Sequence, residues 1–469
     1  MNFQLDDLPA MKVTVMGLGL HGGGAASARF FASRGARVTV TDMKSAVELQ
    51  ESLEALSDVP IRYVLGEHRP EDFTEADLVI KNPAVPSSSR FLSYARQIDT
   101  DIGVFLRFNR RPILAVTGSK GKSTTVSALY DVLHAAYPET KLGGNITVSP
   151  LSFIEECLAP HEAPVILELS SWQLADLPDL TLLAPAVAAI TNIMPDHQNR
   201  YASMDEYVRD KERIYLSQRP LQHSIINHDD PYCERFTAAT PARPYFFSLS
   251  PLPPGTSGAY LQGRRGWFRA DTDETSETAE EEILPQELAI PGDHNRINLL
   301  TAGLCARLFG LSPATIRTEL ARFHGIEHRM EFVAEIDGSR WYNDSAATIP
   351  DATEAALHSF REPVHLIAGG TDKNLDYSPF TRLISQAASI HLLAGNATDR
   401  MTELLEEQHI PYGGPFDSLE KALESARSAS RSGEVVLFSP GATSFGMFAN
   451  EFDRGRQFKQ IVLRRAQAQ

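Results

Sequence analysis

The sequence predicts an α/β protein of three domains, each built on a mainly parallel sheet. Three observations lead there. The chain has 469 residues, and domains usually run to about 100–200 residues each. Three stretches carry β-rich runs that meet glycine turns and alternate with helix-like patterns, the arrangement of parallel sheets. Hydrophobic residues make up 42% and charged residues 22%, enough apolar surface for several cores.

The first block opens with 12–16, an alternating β-branched run, followed by Gly17-Leu18-Gly19-Leu20-His21-Gly22 and a helix-like stretch over 24–33. A second strand, 37–41, ends at Asp42, and a third, 77–80, runs into Asn82-Pro83. Glycines at this spacing let a pyrophosphate approach the backbone, and the acid closing the next strand can bind a ribose hydroxyl. The block is therefore Rossmann-like. The pattern specifies a nucleotide diphosphate without saying which one.

The second block opens at Pro112 with a short apolar strand, 113–116. It enters Thr117-Gly118-Ser119-Lys120-Gly121-Lys122-Ser123-Thr124 and then a helix over 125–136. Free backbone N–H groups at such a helix start, with the helix dipole, favour phosphate oxygens. Lys122 is placed to reach terminal phosphates, and Ser123 or Thr124 to join a Mg²⁺ shell. The first glycine precedes Gly121 by three residues, a closer spacing than the usual P-loop. Further strands are expected at 165–169, 186–191 and 223–226. Glu168 then ends a strand at a ligand crevice, and with His197 it can meet a divalent cation. On the residues alone, Lys211 in the charged helix 207–215 reads as a solvated surface lysine. The acid-rich stretch 271–282 reads as a solvated loop between hairpin-like strands.

The third block begins near Phe332, with strands at 340–343, 364–368, 390–393 and 435–438; the segment 323–329 marks the boundary before it. A net charge of −16 disfavours nucleic acid or an anionic membrane as partner. No apolar run approaches the roughly 20 residues that span a bilayer, and the N-terminus has no leader pattern. Three distant cysteines, Cys157, Cys233 and Cys305, offer neither a disulfide framework nor zinc spacing, so a cytoplasmic location is expected.

Taken in order, these motifs resemble the Mur ligases of peptidoglycan synthesis over almost the whole chain. The string 116–124 is similar to the family's ATP loop. Gly143-Gly144-Asn145-Ile146, Glu168-Leu169-Ser170-Ser171, Asp196-His197, His294-Asn295-Arg296-Ile297-Asn298 and His328-Arg329-Met330-Glu331 look like its next five signatures. Asn343-Asp344-Ser345-Ala346-Ala347-Thr348, Gly369-Gly370-Thr371-Asp372-Lys373 and 439–445 look like the three of its last domain. The N-terminal Gly-Leu-Gly-Leu, the Glu168 string and Phe452-Asp453-Arg454-Gly455 resemble the members that add glutamate.

The resemblance implies three domains: a Rossmann-like one over 1–111 for a UDP-sugar, a P-loop-type ATPase over 112–327, and a Rossmann-like one over 328–469 that brings the amino acid and closes over the second. It implies ATP-dependent ligation of glutamate, of the D form, to UDP-N-acetylmuramoyl-L-alanine through an acyl phosphate. Lys122 would stabilise the transferring phosphoryl group, with Gly118, Ser119, Lys120, Gly121 and Thr124 around it. Ser123 and Glu168 would hold one Mg²⁺, and His197 a second. Lys211 matches a family lysine that is carbamylated. Asn298, Arg329 and Asp344 would hold ATP. Gly17, Leu18, Gly19, Leu20, His21, Asp42 and Asn145 would face the UDP-sugar, and Thr348, Lys373 and Ser444 the glutamate. A monomer is expected.

The chain departs from the family pattern at Ala346 and Ile349, where lysine and asparagine are frequent, at Asn199, at Asn450-Glu451-Phe452 and at Asn82-Pro83-Ala84. These departures bear on amino-acid recognition more than on the reaction. The rival readings are a ligase of the same superfamily adding another amino acid, or adding glutamate to a folate; an NAD-dependent oxidoreductase using the first glycine loop; and a non-enzymatic nucleotide sensor.

Overall fold

The computed structural model describes residues 3–19, 23–146, 148–195, 201, 203–270, 280–372, 377, 387–444 and 446–467. His197 and Asn199, Leu20 and His21, Lys373, and 271–279 of the acidic stretch lie outside them. Chain contacts group Met1–Gln286 with Ile297–Leu320, and Glu287–Arg296 with Ala321–Gln469.

The first of these units carries two sheets. One has five parallel strands, β1 (Lys12–Met16), β2 (Arg37–Asp42), β3 (Ile61–Leu65), β4 (Leu78–Lys81) and β5 (Ile98–Asp99), in the order β3-β2-β1-β4-β5. The strand order reverses between β1 and β4, which opens a crevice at their C-terminal ends. Side chains alternate across the sheet: Leu78 and Ile80 join one apolar cluster, and Val79 joins the one on the opposite face.

The other sheet has nine strands: β6 (Ile113–Thr117), β7 (Lys141–Gly144), β8 (Val165–Glu168), β9 (Val187–Ile190), β10 (His223–Asn227), β11 (Arg243–Ser248), β12 (Gly258–Gln262), β13 (Arg265–Arg269) and β14 (Glu280–Leu284). Their order is β14-β13-β12-β11-β10-β9-β6-β8-β7. Pairing is parallel from β7 through β12 and antiparallel at β13 and β14. β6 is wholly buried between β8 and β9, so its C-terminal end is held from both sides. The expectation of a loop over 271–282 is corrected at its end. Glu280, Glu281 and Glu282 belong to β14, and Glu281 and Glu282 pair with Arg307 and Arg265. Cross-strand and cross-element arginines make strand residues of an acid run that composition reads as solvated.

The second unit carries six strands, β15 (Glu331–Ile336), β16 (Ser339–Asn343), β17 (Val364–Ala368), β18 (Ala387–Leu393), β19 (Gly413–Phe416) and β20 (Val435–Phe438), in the order β15-β16-β20-β17-β18-β19. Only the β15–β16 hairpin is antiparallel. On β20, Val435 and Leu437 pack into one core and Val436 and Phe438 into the other. A strand buried on both faces reads as a continuous apolar run, which is how 435–438 was legible.

Candidate active site

The helix after β6 begins at Lys122, three residues earlier than its apolar pattern suggests, and runs to Ala136. Gly121 caps it with φ +84°, a left-handed conformation that favours glycine. Gly118 has φ +144°, and a Cβ there would lie 1.9 Å from Thr191 Oγ1. The turn is strapped to the segment after β9. Ser119 N donates to Asn192 O at 2.8 Å, and Lys120 N to Asn192 Oδ1 at 2.9 Å. Thr191 Oγ1 donates to Lys120 O at 2.6 Å. Ser119 Oγ also meets Tyr207 Oη at 2.9 Å. Asn298 approaches from the helix Asp293–Leu308, so close that a Cβ on Gly121 would meet its Oδ1 at 2.2 Å. The loop is thus held in shape by protein contacts before any phosphate arrives.

Lys122 Nζ donates to Gly118 O and Ser119 O at 3.0 and 3.1 Å. The solvated-surface reading of Lys211 is overturned: it is 1% exposed, and its Nζ donates to the same Gly118 O at 2.8 Å. The helix Met204–Glu212 has an apolar inner face that carries Tyr207, Val208 and Lys211 into the core. Two amines sharing one carbonyl oxygen repel each other if both are charged, most of all where water is excluded.

Glu168, at the end of β8, is 1% exposed. Asn145 Nδ2 donates to its Oε1 at 2.9 Å, and Asn145 N to its carbonyl at 2.8 Å. Its Oε2 is buried and has no hydrogen-bond partner among the described residues. Buried carboxylate oxygens are nearly always paired or metal-bound, so this atom fits a divalent cation at the end of β8, next to the end of β6 where the loop begins. Asn145 is placed to orient the carboxylate. Among the described residues no group of three or more His, Cys, Asp or Glu gathers for a metal.

At the first glycine loop, Leu18 N and Gly19 N donate to Asp42 Oδ2 at 2.8 and 3.2 Å, and Lys44 N to Oδ1 at 2.9 Å. Asp42 therefore closes the loop on itself, and a ribose would share oxygens already accepting backbone hydrogen bonds.

In the second unit, Asp344 follows β16 and accepts from Ser439 Oγ at 2.7 Å and Met330 N at 3.2 Å. Burial pushes its carboxyl up to about 7, against those hydrogen bonds and the nearby Arg329 cation. His328 and Met330, flanking Arg329, both take left-handed backbone (φ +67° and +48°), strain of the kind stored at ligand sites. Ser444 Oγ is buried without a partner, Thr348 is half-buried, and Ile349 is exposed.

Sequence reasoning quoted Arg454 within a motif but gave it no role. Fully buried, it donates to Ser345 Oγ, Ser345 O and Ala442 O at 3.0, 2.8 and 3.1 Å, tying the loop after β16 to the loop after β20. It also missed Tyr207 and Asn192, whose residue types carry no motif of their own.

A glycine turn at the C-terminal end of a central parallel strand, two lysines meeting on it and a buried unpaired carboxylate oxygen at the end of the neighbouring strand fit a phosphoryl-transfer enzyme of the P-loop type. Comparison with known proteins narrows the class. Residues 11–103 match the Mur ligase MurD-like N-terminal domain, 116–306 the Mur ligase middle domain, and 328–441 the Mur ligase glutamate ligase domain. UDP-N-acetylmuramoylalanine–D-glutamate ligase of Treponema pallidum (strain Nichols) is 41% identical, covering 97% of this chain and 98% of its own. The enzyme of the same name from Roseiflexus sp. (strain RS-1) is 40% identical over 97% and 99%. Among solved structures, UDP-N-acetylmuramate-alanine ligase MurC of Thermotoga maritima shares the fold at 20% identity, with a TM-score of 0.60 over 97% of this chain and 99% of its own. The chain belongs to the Mur ligase family.

Proposed function

We propose that this protein joins D-glutamate to the alanine carboxylate of UDP-N-acetylmuramoyl-L-alanine, consuming ATP through an acyl phosphate in peptidoglycan precursor synthesis. The observation that carries the chemistry is the strapped turn 118–122, with Lys122 and the unpaired Glu168 oxygen beside it. The near-full-length likeness to relatives named for D-glutamate addition supports the amino acid.

Phosphoryl transfer asks the protein mainly for positioning and charge neutralisation. The amides of the turn and Lys122 would hold the terminal phosphates. Glu168 and Ser123 would hold Mg²⁺, which neutralises charge on the transferring group; we place a second ion with His197. Asn145 aims the Glu168 carboxylate. Thr117-Gly118-Ser119-Lys120-Gly121 with Thr124 line the triphosphate, and Asn298, Arg329 and Asp344 serve the rest of ATP. The loop at Gly17-Leu18-Gly19, with Asp42, serves the UDP part of the acceptor. Thr348, Lys373 and Ser444 take the glutamate, whose amine then attacks the acyl phosphate. Lys211 is read as a carbamate, which would replace the second of two crowded cations by an anion. The domains are taken as 1–111, 112–327 and 328–469, and the protein as a cytoplasmic monomer.

The test is an amino-acid screen with UDP-N-acetylmuramoyl-L-alanine and ATP, read by product mass and ADP release. D-Glutamate alone is expected to yield product. Product with another amino acid and none with D-glutamate would overturn the specificity. Near-normal ADP release by a Lys122→Ala variant in the presence of both substrates would overturn the site.

A further inference from the structure

Lys81 is the last residue of β4, and its backbone pairs with Met16 of β1, next to the first glycine loop. It therefore stands at the point where the strand order of the first sheet reverses, the place where such sheets bind ligands. Yet its side chain, 3% exposed, forms an ion pair with Asp176, itself only 7% exposed. Asp176 belongs to the nine-stranded sheet's side of the unit. It ends the helix Ser171–Asp176, whose start is fixed by reciprocal Ser170–Gln173 hydrogen bonds just after Glu168. The other Asp176 oxygen accepts from Ser87 Oγ at 3.0 Å, so the segment leaving β4 is tied down twice on one carboxylate. A second buried link, Ser149 Oγ to Asp101 Oδ2 at 2.8 Å, joins the stretch after Asn145 to the helix that follows β5.

Buried ion pairs contribute little net stability compared with apolar packing of the same volume; what they supply is a fixed geometry. Here the geometry joins the ligand-facing end of one parallel sheet to that of the next. We infer that Lys81 and Asp176 are positioning residues: their ion pair sets the distance between the first glycine loop and Glu168, and so aligns the two ends of the UDP-sugar acceptor. This rests on the acceptor assigned above. The substrate is long, its nucleotide end and its reacting carboxylate fall on different sheets, and a misplacement of about 1 Å between them can cost about 10²-fold.

The test uses the full chain with UDP-N-acetylmuramoyl-L-alanine, D-glutamate and ATP, comparing Lys81→Met, Asp176→Asn and the apolar pair Lys81→Met/Asp176→Leu. If wild-type protein makes no product, the functional reading fails, and the clamp is then judged by binding of UDP-N-acetylmuramoyl-L-alanine to the same variants. With product formed, all three variants are expected to raise KM for the UDP-sugar about 10-fold or more. KM for ATP should stay within about two-fold, and the apolar pair should keep the wild-type Tm. Wild-type KM in the apolar pair would make the ion pair purely structural. A raised KM in Lys81→Met with none in Asp176→Asn would make Lys81 a direct ligand of the substrate. Either result overturns the proposal. Asp176→Asn keeps the shape and the Ser87 contact, so it reports even if the other variants fold poorly.

Discussion

Replacing Glu168 by glutamine should weaken metal-nucleotide binding while leaving the stability of the ligand-free protein near that of the wild type. The side chain is 1% exposed, one oxygen is held by Asn145, and the other has no partner. An unsatisfied buried polar atom costs about 1–3 kcal/mol, more when charged. Glutamine keeps an acceptor facing Asn145 but puts an amide NH₂ with two donors where the unpartnered oxygen stood, so one unsatisfied buried group replaces another and ligand-free stability should stay within about 1 kcal/mol of the wild type. Binding should weaken. At ligand about 100-fold above Kd, the wild type gains about 2.7 kcal/mol from Mg²⁺ and a non-hydrolysable ATP analogue. A 100-fold weaker site would retain about 0.4 kcal/mol by the same relation. At roughly 2–4 °C per kcal/mol for a unit of this size, the ligand-induced rise in Tm should shrink by about 5–9 °C. Turnover should fall about 10²–10³-fold. Thermal unfolding with and without Mg²⁺ and the analogue measures both arms. A variant that keeps the full ligand-induced rise would refute the assignment of the free oxygen to a metal, whatever its turnover.

Gly118→Ala would put a methyl 1.9 Å from Thr191 Oγ1, which cannot retreat without losing its bond to Lys120 O; nucleotide binding by titration should be lost, and a retained Kd would refute the strapped-loop reading. Lys211→Ala should inactivate the enzyme, with partial recovery in a small carboxylate such as acetate. Absence of recovery, with the buried lysine found unmodified by intact mass under CO₂, would reject the carbamate. Asp344 titrates near 7 when folded against an ordinary 3.8. The folded state then holds a proton the unfolded state has lost, so this group's contribution falls as pH rises between those values, by up to about 4 kcal/mol. Relative to Asp344→Asn, wild type should lose stability from about pH 4 to about pH 8 in denaturant titrations. Parallel curves would contradict a buried, protonatable Asp344.

Much of the site was legible because its chemistry is local in sequence. Gly118 to Thr124 sit in one turn, and a strand, two glycines and Lys-Ser-Thr need no distant partner to be read. Glu168 was legible because a lone acid closing the apolar run 165–167 has few other uses. Lys211 was misread by its own composition. Arg209, Asp210, Glu212 and Arg213 surround it in sequence, but successive helix residues point about 100° apart, and Lys211 lies on the face that meets the turn at Gly118. Glu281 and Glu282 were misread for the same reason, since their partners Arg307 and Arg265 come from other elements.

By itself the sequence determined the strands that lead into the glycine turns and the order of the motifs, and with them the fold class and the family. These follow from backbone preferences and hydrophobic periodicity, which act between near neighbours. Tertiary structure alone decided that Asp42 closes its own loop, that Lys122 and Lys211 meet on one carbonyl, that one Glu168 oxygen is left free, and that Lys81 is bound to Asp176. Each depends on the packing of segments far apart in the chain, where burial and the direction of a side chain set its charge and its partner.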